Sequence, residues 1–357
     1  MTILDRTALL NRSPDYYARL ASIGVEPLWA MGPWKAAGPA RPYVWKFKEV
    51  MPALEDSRQV YTMGEAEEDR RGLNYMNPNG WGSAPTYLAG IQMIFPGESA
   101  AAHRHTSTAC RFIMSGDGGF TVQDGQRFKM EPGDLILTTN WILHDHGNDG
   151  REPTVWMDYT DKMYSTWGGL FREEGDQIQE VSWKHHMPEG NMRFAASGML
   201  PVGARSPTTN SPQLLYPWAQ AEASVRSLLR MGEDPYDCAM AEYVNPVTGG
   251  HCTSSQAHYL QLLTKGFHGK ARRRTENAHC FIFKGSGKTI IEGREYRWET
   301  GDTLMIPSWS WYEHVADEET FINYSSDLPG REAFGIHREE LLMENGGHQK
   351  VIADLAA

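Results

Sequence analysis

The chain has 357 residues, of which 40% are hydrophobic and 11% aromatic, so it has enough apolar material for one large core or two ordinary ones. Its formal net charge of -11, with no long basic run, argues against a nucleic-acid partner. No stretch is apolar over a bilayer-spanning length, and the first residues carry charges where a signal peptide is apolar. We therefore expect no membrane partner and a cytoplasmic location.

Residues 1–80 have a mixed character, and we expect them to form an N-terminal arm that docks on another surface. The segment PDYYARLASIG (14–24) predicts a short helix within it. From Tyr87 the sequence changes to short apolar runs separated by turns rich in Gly and Pro, which is typical of β-barrels and sandwiches. These runs define a first β domain at 81–164, and they lie at 87–95, 110–114, 119–123, 134–139 and 154–159.

Residues 165–250 are predicted to form a connector with one helix, PWAQAEASVRSLLRMG (217–232). The β-like runs resume in a second domain at 251–330, and they lie at 258–264, 279–283, 288–292, 302–307 and 320–325. A final helix, REAFGIHREELLMEN (331–345), is predicted to open a C-terminal segment of helix and tail at 331–357. The four cysteines lack CxxC spacing, which argues against a zinc knuckle and a disulfide scaffold.

The two β domains align with each other. CRFIMSGDGGFTVQDG (110–125) lies over HCFIFKGSGKTIIEG (279–293), and further on Gly133-Asp134 matches Gly301-Asp302. The alignment also pairs Trp141 with Trp309 and His146 with His314. Two copies of one barrel explain this internal repeat, so we predict an all-β fold with few helices.

Three histidines of the first copy form a candidate metal site. His103 and His105 alternate along one strand, so both side chains can point into a barrel. His144, on a partner strand, can complete a facial triad. Three neutral imidazoles leave about three positions open on an octahedral ion, which suits Fe(II) with a chelating substrate and O₂ better than a closed structural zinc site. A packed or surface pair of histidines is the alternative.

The motifs GESAAAHRHTSTACRF (97–112) and WILHDHGN (141–148) resemble the two cupin motifs of the gentisate 1,2-dioxygenase group. The resemblance extends from about Leu73 to about Glu340, and it implies a bicupin fold of two jelly-roll barrels. It also implies one Fe(II) per chain and a homotetramer. The implied reaction inserts O₂ between C1 and C2 of a small aromatic acid, a 2-hydroxybenzoate. Positions 109 and 110, where many cupins place a carboxylate ligand, hold Ala and Cys, as a three-histidine site implies.

The second copy lacks the triad. Arg272, Arg274 and Tyr312 align with the three histidines, and arginine cannot ligate a cation because it carries only hydrogen-bond donors. We therefore predict a metal-free second barrel that serves packing or assembly. His314 survives there without its partners, and it is not expected to be functional.

Other residues acquire candidate roles from the resemblance. Arg111 would bind the substrate carboxylate through its bidentate fork, with a surface arginine as the alternative. His146 would act as an acid/base or orient oxygen, and Asp158 would orient a neighbouring group. Three residues are further candidates for substrate binding: Leu88 and Gly90 on one strand, and Arg71 as a second anion clamp from the arm.

The substrate is defined less closely than the reaction. Thr139-Asn140 replaces the family's usual proline, and Ile142-Leu143 and Met114-Ser115 also depart from its pattern, so strict gentisate specificity is doubtful. Salicylate and 5-nitro- or 5-halosalicylate remain candidates. The alternatives from other classes are a different cupin metalloenzyme, such as an isomerase or another oxygenase, and a non-catalytic bicupin that binds aromatic acids.

Overall fold

The computed structural model describes residues 6–30, 40–65, 70–78, 82–167, 173–174 and 210–354; most of the first part of the connector lies outside these ranges. The α-helices within them are α1 (Arg6–Arg12), α2 (Pro14–Ser22), α3 (Phe47–Val60), α4 (Lys162–Trp167), α5 (Trp218–Leu229) and α6 (Leu328–Ala333). Short 3-10 turns lie at Leu28–Ala30 and Glu344–Gly347. Among the helices described, none has the length and apolar character needed to cross a membrane.

The strands account for most of the described elements. In the first half of the chain they are β1 (Val25–Pro27), β2 (Tyr43–Trp45), β3 (Gly72–Tyr75), β4 (Leu88–Ile94), β5 (Ser99–His105), β6 (Ala109–Ser115), β7 (Gly119–Gln123), β8 (Gln126–Lys129), β9 (Leu135–Thr138), β10 (His144–Asn148), β11 (Thr154–Thr160) and β12 (Glu173–Glu174). In the second half they are β13 (Leu215–Tyr216), β14 (Ala239–Glu242), β15 (Ala257–Leu263), β16 (Arg272–Arg274), β17 (Ala278–Lys284), β18 (Ser286–Ile291), β19 (Arg294–Glu299), β20 (Thr303–Ile306), β21 (Tyr312–Ala316), β22 (Thr320–Ser326), β23 (Glu339–Leu341) and β24 (Ala353–Asp354).

Each β domain consists of two facing sheets. The first domain has a seven-stranded sheet in the order β1-β3-β4-β11-β6-β9-β13 and a five-stranded sheet in the order β12-β5-β10-β7-β8. The second has two six-stranded sheets, β14-β15-β22-β17-β20-β2 and β23-β16-β21-β18-β19-β24. The predicted all-β architecture with two barrels, an N-terminal arm and few helices is confirmed.

Turn geometry repeats between the two barrels. Asp124-Gly125 joins β7 to β8 with φ of 45° and 78°, and Glu292-Gly293 joins β18 to β19 with φ of 49° and 73°. Two consecutive positive φ values define the type I′ turn, whose twist matches that of the paired strands. The matched hairpins explain why the sequence repeat is clearest at these segments.

The two barrels pack against each other through the outer faces of two sheets, the seven-stranded sheet of the first barrel and the sheet of the second that contains β17. Phe112 on β6 and Phe281 on β17 are almost fully buried, with ring centroids 5.8 Å apart. Ile91 and Met157 on the first sheet and Leu260 on the second belong to the same core. Burying each phenylalanine contributes about 1.5–3 kcal/mol. The barrel interiors remain separate from this shared core.

The arm and the connector each contribute one strand and the helix that follows it to a barrel. β2 of the arm pairs with β20 of the second barrel, whereas β13 of the connector pairs with β9 of the first. The helix after each unit begins at a buried carboxylate: Asp302 accepts the Phe47 N–H at 2.8 Å, and Asp134 accepts the Trp218 N–H at 2.8 Å. Each barrel is therefore completed by a segment that precedes the other barrel in the chain.

The predicted helix at 331–345 is wrong. The helix α6 ends at Ala333, and Gly335 adopts a φ of 68°, which a helix cannot continue. The chain then extends into β23, which pairs with β16 and forms ion pairs from Glu340 to Arg273 and from Glu339 to Arg274. Glu339 and Glu340, which lie within the predicted helix, are instead cross-strand partners of the arginine cluster Arg272–Arg274.

Candidate metal centre and substrate pocket

Three histidines converge inside the first barrel. His103 and His105 lie on β5, and His144 lies on β10 directly opposite His103. The ring centroids are 4.2 Å apart for His103 and His144, 5.0 Å for His105 and His144, and 5.2 Å for His103 and His105. One nitrogen from each ring lies within 4.8 Å of the others, which is a separation that one metal ion can bridge.

Backbone carbonyls orient the three rings. In each, Nδ1 lies within hydrogen-bond distance of the carbonyl oxygen of a residue two positions away. These oxygens belong to Ala101 (3.3 Å from His103), Ser107 (2.7 Å from His105) and Ile142 (2.9 Å from His144). A proton on Nδ1 leaves the Nε2 lone pair for a metal, which is the usual arrangement around ligating histidines. Nε2 of His144 is buried with no hydrogen-bond partner among the described residues, so the donor set fits a metal.

Burial keeps the triad neutral. It is the main cause that lowers the pKa of His105 to about 3 and the pKa of His103 and His144 far below the ordinary value. Positive charge on Arg70 lowers the pKa of His103 further. Neutral imidazole is the form that binds metals, so the three rings are ready for an ion without releasing protons at neutral pH.

Arg70, which sequence reasoning missed, reaches the triad from the arm. Its Nη2 lies 2.6 Å from Nε2 of His103 and also contacts Nδ1 of the same ring. Arg70 lies in an irregular segment just before β3, where no periodicity indicates the direction of a side chain. The pocket therefore has a second guanidinium besides that of Arg111.

Arg71, the neighbour that we predicted as an anion clamp, points elsewhere. Its buried guanidinium pairs with Glu98 at 2.7 Å and donates to Ser57 and to the carbonyl of Tyr61. These contacts fasten α3 to the first barrel. The role of Arg71 in substrate binding stays a prediction that these contacts do not support, because adjacent residues in an extended segment point in opposite directions.

His146 lies beside the triad, and its nitrogens have no hydrogen-bond partner among the described residues. Its ring is 5.7 Å from that of His144 and is fully buried, which lowers its pKa far below the ordinary value. The equivalent His314 of the second barrel is instead bonded through Nδ1 to Thr289 at 2.8 Å. The matching threonine of the first barrel, Thr121, bonds the carbonyl of Asp145, which leaves His146 available to a ligand.

Arg111 and Asp158 face each other across β6 and β11 inside the barrel. Nε of Arg111 lies 3.3 Å from Oδ1 of Asp158, and Nη1 donates to the hydroxyl of Thr138. Burial lowers the pKa of Arg111 and raises that of Asp158, while the charge of each partner opposes the shift. The guanidinium stays protonated in any case, so it supplies fixed positive charge within the pocket.

The pocket has an apolar floor. The buried residues that form it come from five segments of the barrel: Ile94, Ile113, Met130, Ile136 and Trp156. Trp156 also approaches His146, with ring centroids 5.6 Å apart. Gln123, a further residue missed from the sequence, lies opposite His144 on β7, and its buried amide has no hydrogen-bond partner among the described residues. Polar groups thus surround the histidines above a surface suited to an aromatic ring.

Leu88 and Gly90 lie on β4 with side-chain directions toward the barrel interior. Gly90 pairs with Asp158 on one side and with Asn74 on the other. A Cβ at Gly90 would lie 2.7 Å from the carbonyl oxygen of Leu73, so the close approach of β3 alone requires glycine here. Leu88 is 2% exposed.

The second barrel places ion pairs where the first places the triad. Arg272 lies opposite Tyr312, as His103 lies opposite His144, and it pairs with Asp237. The Arg272 Nε donates to the Tyr312 hydroxyl at 3.1 Å. Arg274 pairs with Glu339 at 2.7 Å.

The scaffold around these positions is the same in both barrels. Trp141 and Trp309 have φ of 64° and 62°, and they donate their N–H groups to the carbonyls of His105 and Arg274. The two barrels therefore share backbone geometry and differ in the side chains at the ligand positions.

Comparison with known proteins agrees with this geometry. The family described as "Cupin domain" matches residues 90–160. A gentisate 1,2-dioxygenase of Aquipseudomonas alcaligenes is 32% identical over 351 residues, which cover 95% of this chain and 99% of the relative. A 1-hydroxy-2-naphthoate 1,2-dioxygenase of Nocardioides sp. strain KP7 is 33% identical over 341 residues, which cover 92% of this chain and 86% of the relative.

A solved structure extends the similarity to three dimensions. The crystal structure of a salicylate 1,2-dioxygenase from Pseudoaminobacter salicylatoxidans with gentisate has a TM-score of 0.79 and 27% sequence identity to this chain. The match covers 92% of this chain and 93% of that chain, so it includes both barrels.

Proposed function

This chain belongs to the gentisate 1,2-dioxygenase family, and from that premise we propose that it cleaves a 2-hydroxybenzoate between C1 and C2, using Fe(II) held by His103, His105 and His144. It is a ring-cleaving dioxygenase, as its relatives are, and the isomerase and the non-catalytic binder are set aside. The observation that carries the proposal is the triad of buried neutral imidazoles beside a buried arginine.

One Fe(II) per chain is the metal that we propose. Three neutral imidazoles form an uncharged ligand set. They would leave about three positions of the ion open, which a dianionic chelating substrate and O₂ could share. When bound, the ion supplies the one-electron chemistry that allows an aromatic ring to react with O₂. The carbonyl bonds to each Nδ1 hold the three rings in the orientation that this requires.

We assign the substrate carboxylate to Arg111 and Arg70. Asp158 and Thr138 engage Arg111 through Nε and Nη1, so the orientation of the guanidinium is fixed before substrate arrives. Arg70 adds a second positive charge at the edge of the triad. Two guanidinium groups favour an acid that becomes a dianion in the pocket once its hydroxyl has lost a proton, and fixing its carboxylate confines attack to one ring carbon.

His146 is the proton-transfer group in this proposal. It is neutral, buried and beside the triad, so it can accept a proton from the substrate hydroxyl or return one during ring opening. Asp158 acts through Arg111 and is a positioning residue. Leu88 and Gly90 would form the wall of β4 against the ring, above the apolar floor.

The substrate class follows from what the relatives share. They are named for gentisate and 1-hydroxy-2-naphthoate, and the solved relative is a salicylate dioxygenase. All three acids carry a hydroxyl ortho to a carboxylate and differ elsewhere on the ring. We therefore propose a 2-hydroxybenzoate, with gentisate, salicylate and 5-nitro- or 5-halosalicylate as the members to compare.

The test is anaerobic reconstitution with Fe(II), followed by O₂ consumption and ultraviolet spectra over gentisate, salicylate, the 5-substituted salicylates and 1-hydroxy-2-naphthoate. We expect one O₂ consumed per ring opened with at least one of these acids, and none without iron. No turnover of any acid by iron-loaded protein would refute the proposal.

A matched pair of variants ties the activity to the first barrel. His144→Ala removes a proposed ligand, and we expect it to abolish both iron binding and turnover. Tyr312→Phe changes the equivalent position of the second barrel by one hydroxyl, and we expect it to retain both. If Tyr312→Phe lost iron and His144→Ala retained it, the metal would lie in the second barrel, and the proposal would be contradicted.

We also propose a cytoplasmic homotetramer. All four cysteines are buried and free, which suits a reducing compartment. The C-terminal segment exposes Phe334, Ile336, Met343 and Ile352 at 47–84% of their surface, and such apolar side chains suit a contact between copies. Sedimentation equilibrium of the iron-loaded protein tests the assembly, and a monomer at micromolar concentration would contradict it.

A further inference from the structure

A second cluster of metal-binding side chains lies on the outside of the second barrel. It consists of His268, Glu313 and His348, whose candidate ligand atoms all lie within 4.8 Å of one another. Nε2 of His268 is 3.1 Å from Oε1 of Glu313, and Nδ1 of His348 is 3.8 Å from the same oxygen. Ligands held about 2.0–2.2 Å from a tetrahedral Zn²⁺ are about 3.3–3.5 Å apart, so these separations bracket the value that zinc needs.

The carboxylate is the central feature of the cluster. The Glu313 side chain is buried, and its ion-pair partners among the described residues are the two imidazoles. Its Oε2 accepts the backbone N–H of Gln349 at 3.1 Å. A buried carboxylate between two imidazoles is stabilised by positive charge, and a divalent cation bound by all three groups would supply it.

The imidazoles are placed to receive a cation from solvent. Their side chains are 45% exposed in His268 and 31% exposed in His348, and their ring centroids are 4.3 Å apart. Nδ1 of His348 is nevertheless buried, with no hydrogen-bond partner among the described residues. This atom therefore points into the cluster with an unmet capacity to bind.

Rigid backbone positions all three side chains. His268 forms a bridge to Val315, two residues beyond Glu313, and so is tied to β21. His348 follows Asn345, Gly346 and Gly347, three consecutive residues with φ of 51°, 69° and 92°. The Gly347 carbonyl accepts the N–H of Ala271 at 2.7 Å. The turn thus carries His348 back onto the barrel before any ion arrives.

The cluster is specific to the second barrel. Ser99 pairs with Gly147 in the first barrel as His268 pairs with Val315 in the second, so Ser99 is the counterpart of His268. In the same alignment, Asp145 is the counterpart of Glu313. No described segment of the first half supplies a third ligand there, since His348 comes from the C-terminal segment that covers only the second barrel.

We propose that His268, Glu313 and His348 form a Zn²⁺ site that fastens the C-terminal segment onto the second barrel. Two imidazoles and a carboxylate are ligands that zinc accepts, with water at the remaining position. His268 and Glu313 come from paired segments of the barrel, whereas His348 lies about 35 residues beyond Glu313. Zinc binding therefore stabilises the docked state of the segment that carries His348. The site takes no part in ring cleavage.

The test measures zinc alone in a chain whose triad is disabled by His105→Ala and His144→Ala, so that the first barrel cannot contribute. After chelation and dialysis, equilibrium dialysis with Zn²⁺ and elemental analysis should give one zinc per chain. Saturating zinc should also raise the Tm by at least ~2 °C. His268→Gln or His348→Gln should each remove the bound zinc and the rise in Tm.

His337→Gln is the matched control, since His337 is a partly exposed imidazole 3.6 Å from a carboxylate of Glu276, and the part of the chain that the structure describes offers it no third ligand. It should retain one zinc per chain. Circular dichroism checks that the exposed-histidine variants fold, and His348→Gln in the otherwise native iron-loaded enzyme should keep full ring-cleaving activity. Absence of stoichiometric zinc, or zinc that persists in both His268→Gln and His348→Gln, would overturn the proposal.

Discussion

Asp158 lies directly opposite Arg111 across two antiparallel strands, and the Arg111 Nε and Asp158 Oδ1 atoms are 3.3 Å apart inside the first barrel. The contact is an ion pair whose two atoms are not aligned for a hydrogen bond. Removing the charge of either residue would leave the charge of the other buried without its partner. The stability of the barrel and its affinity for an anionic substrate are therefore linked through this pair.

Asp158→Asn should destabilise the substrate-free protein by about 3–5 kcal/mol, because it leaves the buried Arg111 charge uncompensated. A substrate carboxylate can replace part of that compensation. We therefore expect saturating substrate analogue to raise the Tm of the variant more than that of the wild type, measured by thermal unfolding of iron-free protein.

The matched control is Asp149→Asn. Asp149 pairs with Arg127 at 2.8 Å, but its side chain is 68% exposed, so we expect a change of at most about 0.5 kcal/mol and no change in the ligand-induced shift. Equal effects of Asp158→Asn and Asp149→Asn would contradict the link between the buried pair and substrate binding.

Arg70→Gln should raise KM about tenfold or more while leaving iron bound at least as tightly as in the wild type. The reason is that Arg70 donates to the same His103 ring that the metal needs, so the guanidinium and the ion compete for it. Steady-state kinetics and iron titration measure the two effects. A variant that loses iron would show that Arg70 supports the metal site and does not serve the substrate.

Arg71→Gln should instead lower stability, since Arg71 pairs with Glu98.

The triad was predictable because it depends on local rules. His103 and His105 alternate on one strand, and the repeat supplied the partner strand of His144. Arg70 was not predictable, because the direction of a side chain in an irregular segment is fixed by tertiary contacts. Arg70 and Arg71 are neighbours in that segment, and their side chains point in opposite directions, one to His103 and the other to Glu98.

The pairing of β2 with the second barrel and of β13 with the first could not be predicted from the sequence either. β2 pairs with residues 303–305, some 260 positions away, and no pattern within Tyr43–Trp45 specifies that partner. The helix α3 was not predicted from the sequence, and Pro52 lies within it. Its buried positions, from Val50 to Ser57, follow a helical spacing.

Asp134 and Asp302 occupy equivalent positions, but their amide variants should differ. Asp134 accepts the Trp218 N–H, which an asparagine can also accept, so Asp134→Asn should change stability by less than about 1 kcal/mol. Asp302 accepts the Phe47 N–H and also pairs with Lys46 at 3.0 Å, so Asp302→Asn should cost more. Chemical denaturation compares the two, and a larger loss in Asp134→Asn would contradict this ranking.

His251 should make stability depend on pH. Its imidazole bonds to Glu242 and lies 2.9 Å from Glu332 on α6, and the bond to Glu242 is the main cause that raises its pKa to about 9. Since this value is above the unfolded value of about 6.5, the protonated pair stabilises the fold fully below about pH 6.5. The contribution is lost as pH rises through about 9.

The comparison that isolates this effect is the wild type against His251→Gln, with Tm measured at steps from pH 6 to pH 10. Subtracting the two curves removes the titration of all other groups. We expect the wild type to be more stable at pH 6, with a difference that shrinks above about pH 6.5 and vanishes by about pH 10. A difference that stays constant over this range would mean that His251 contributes through packing, because only a charge that disappears can produce the convergence.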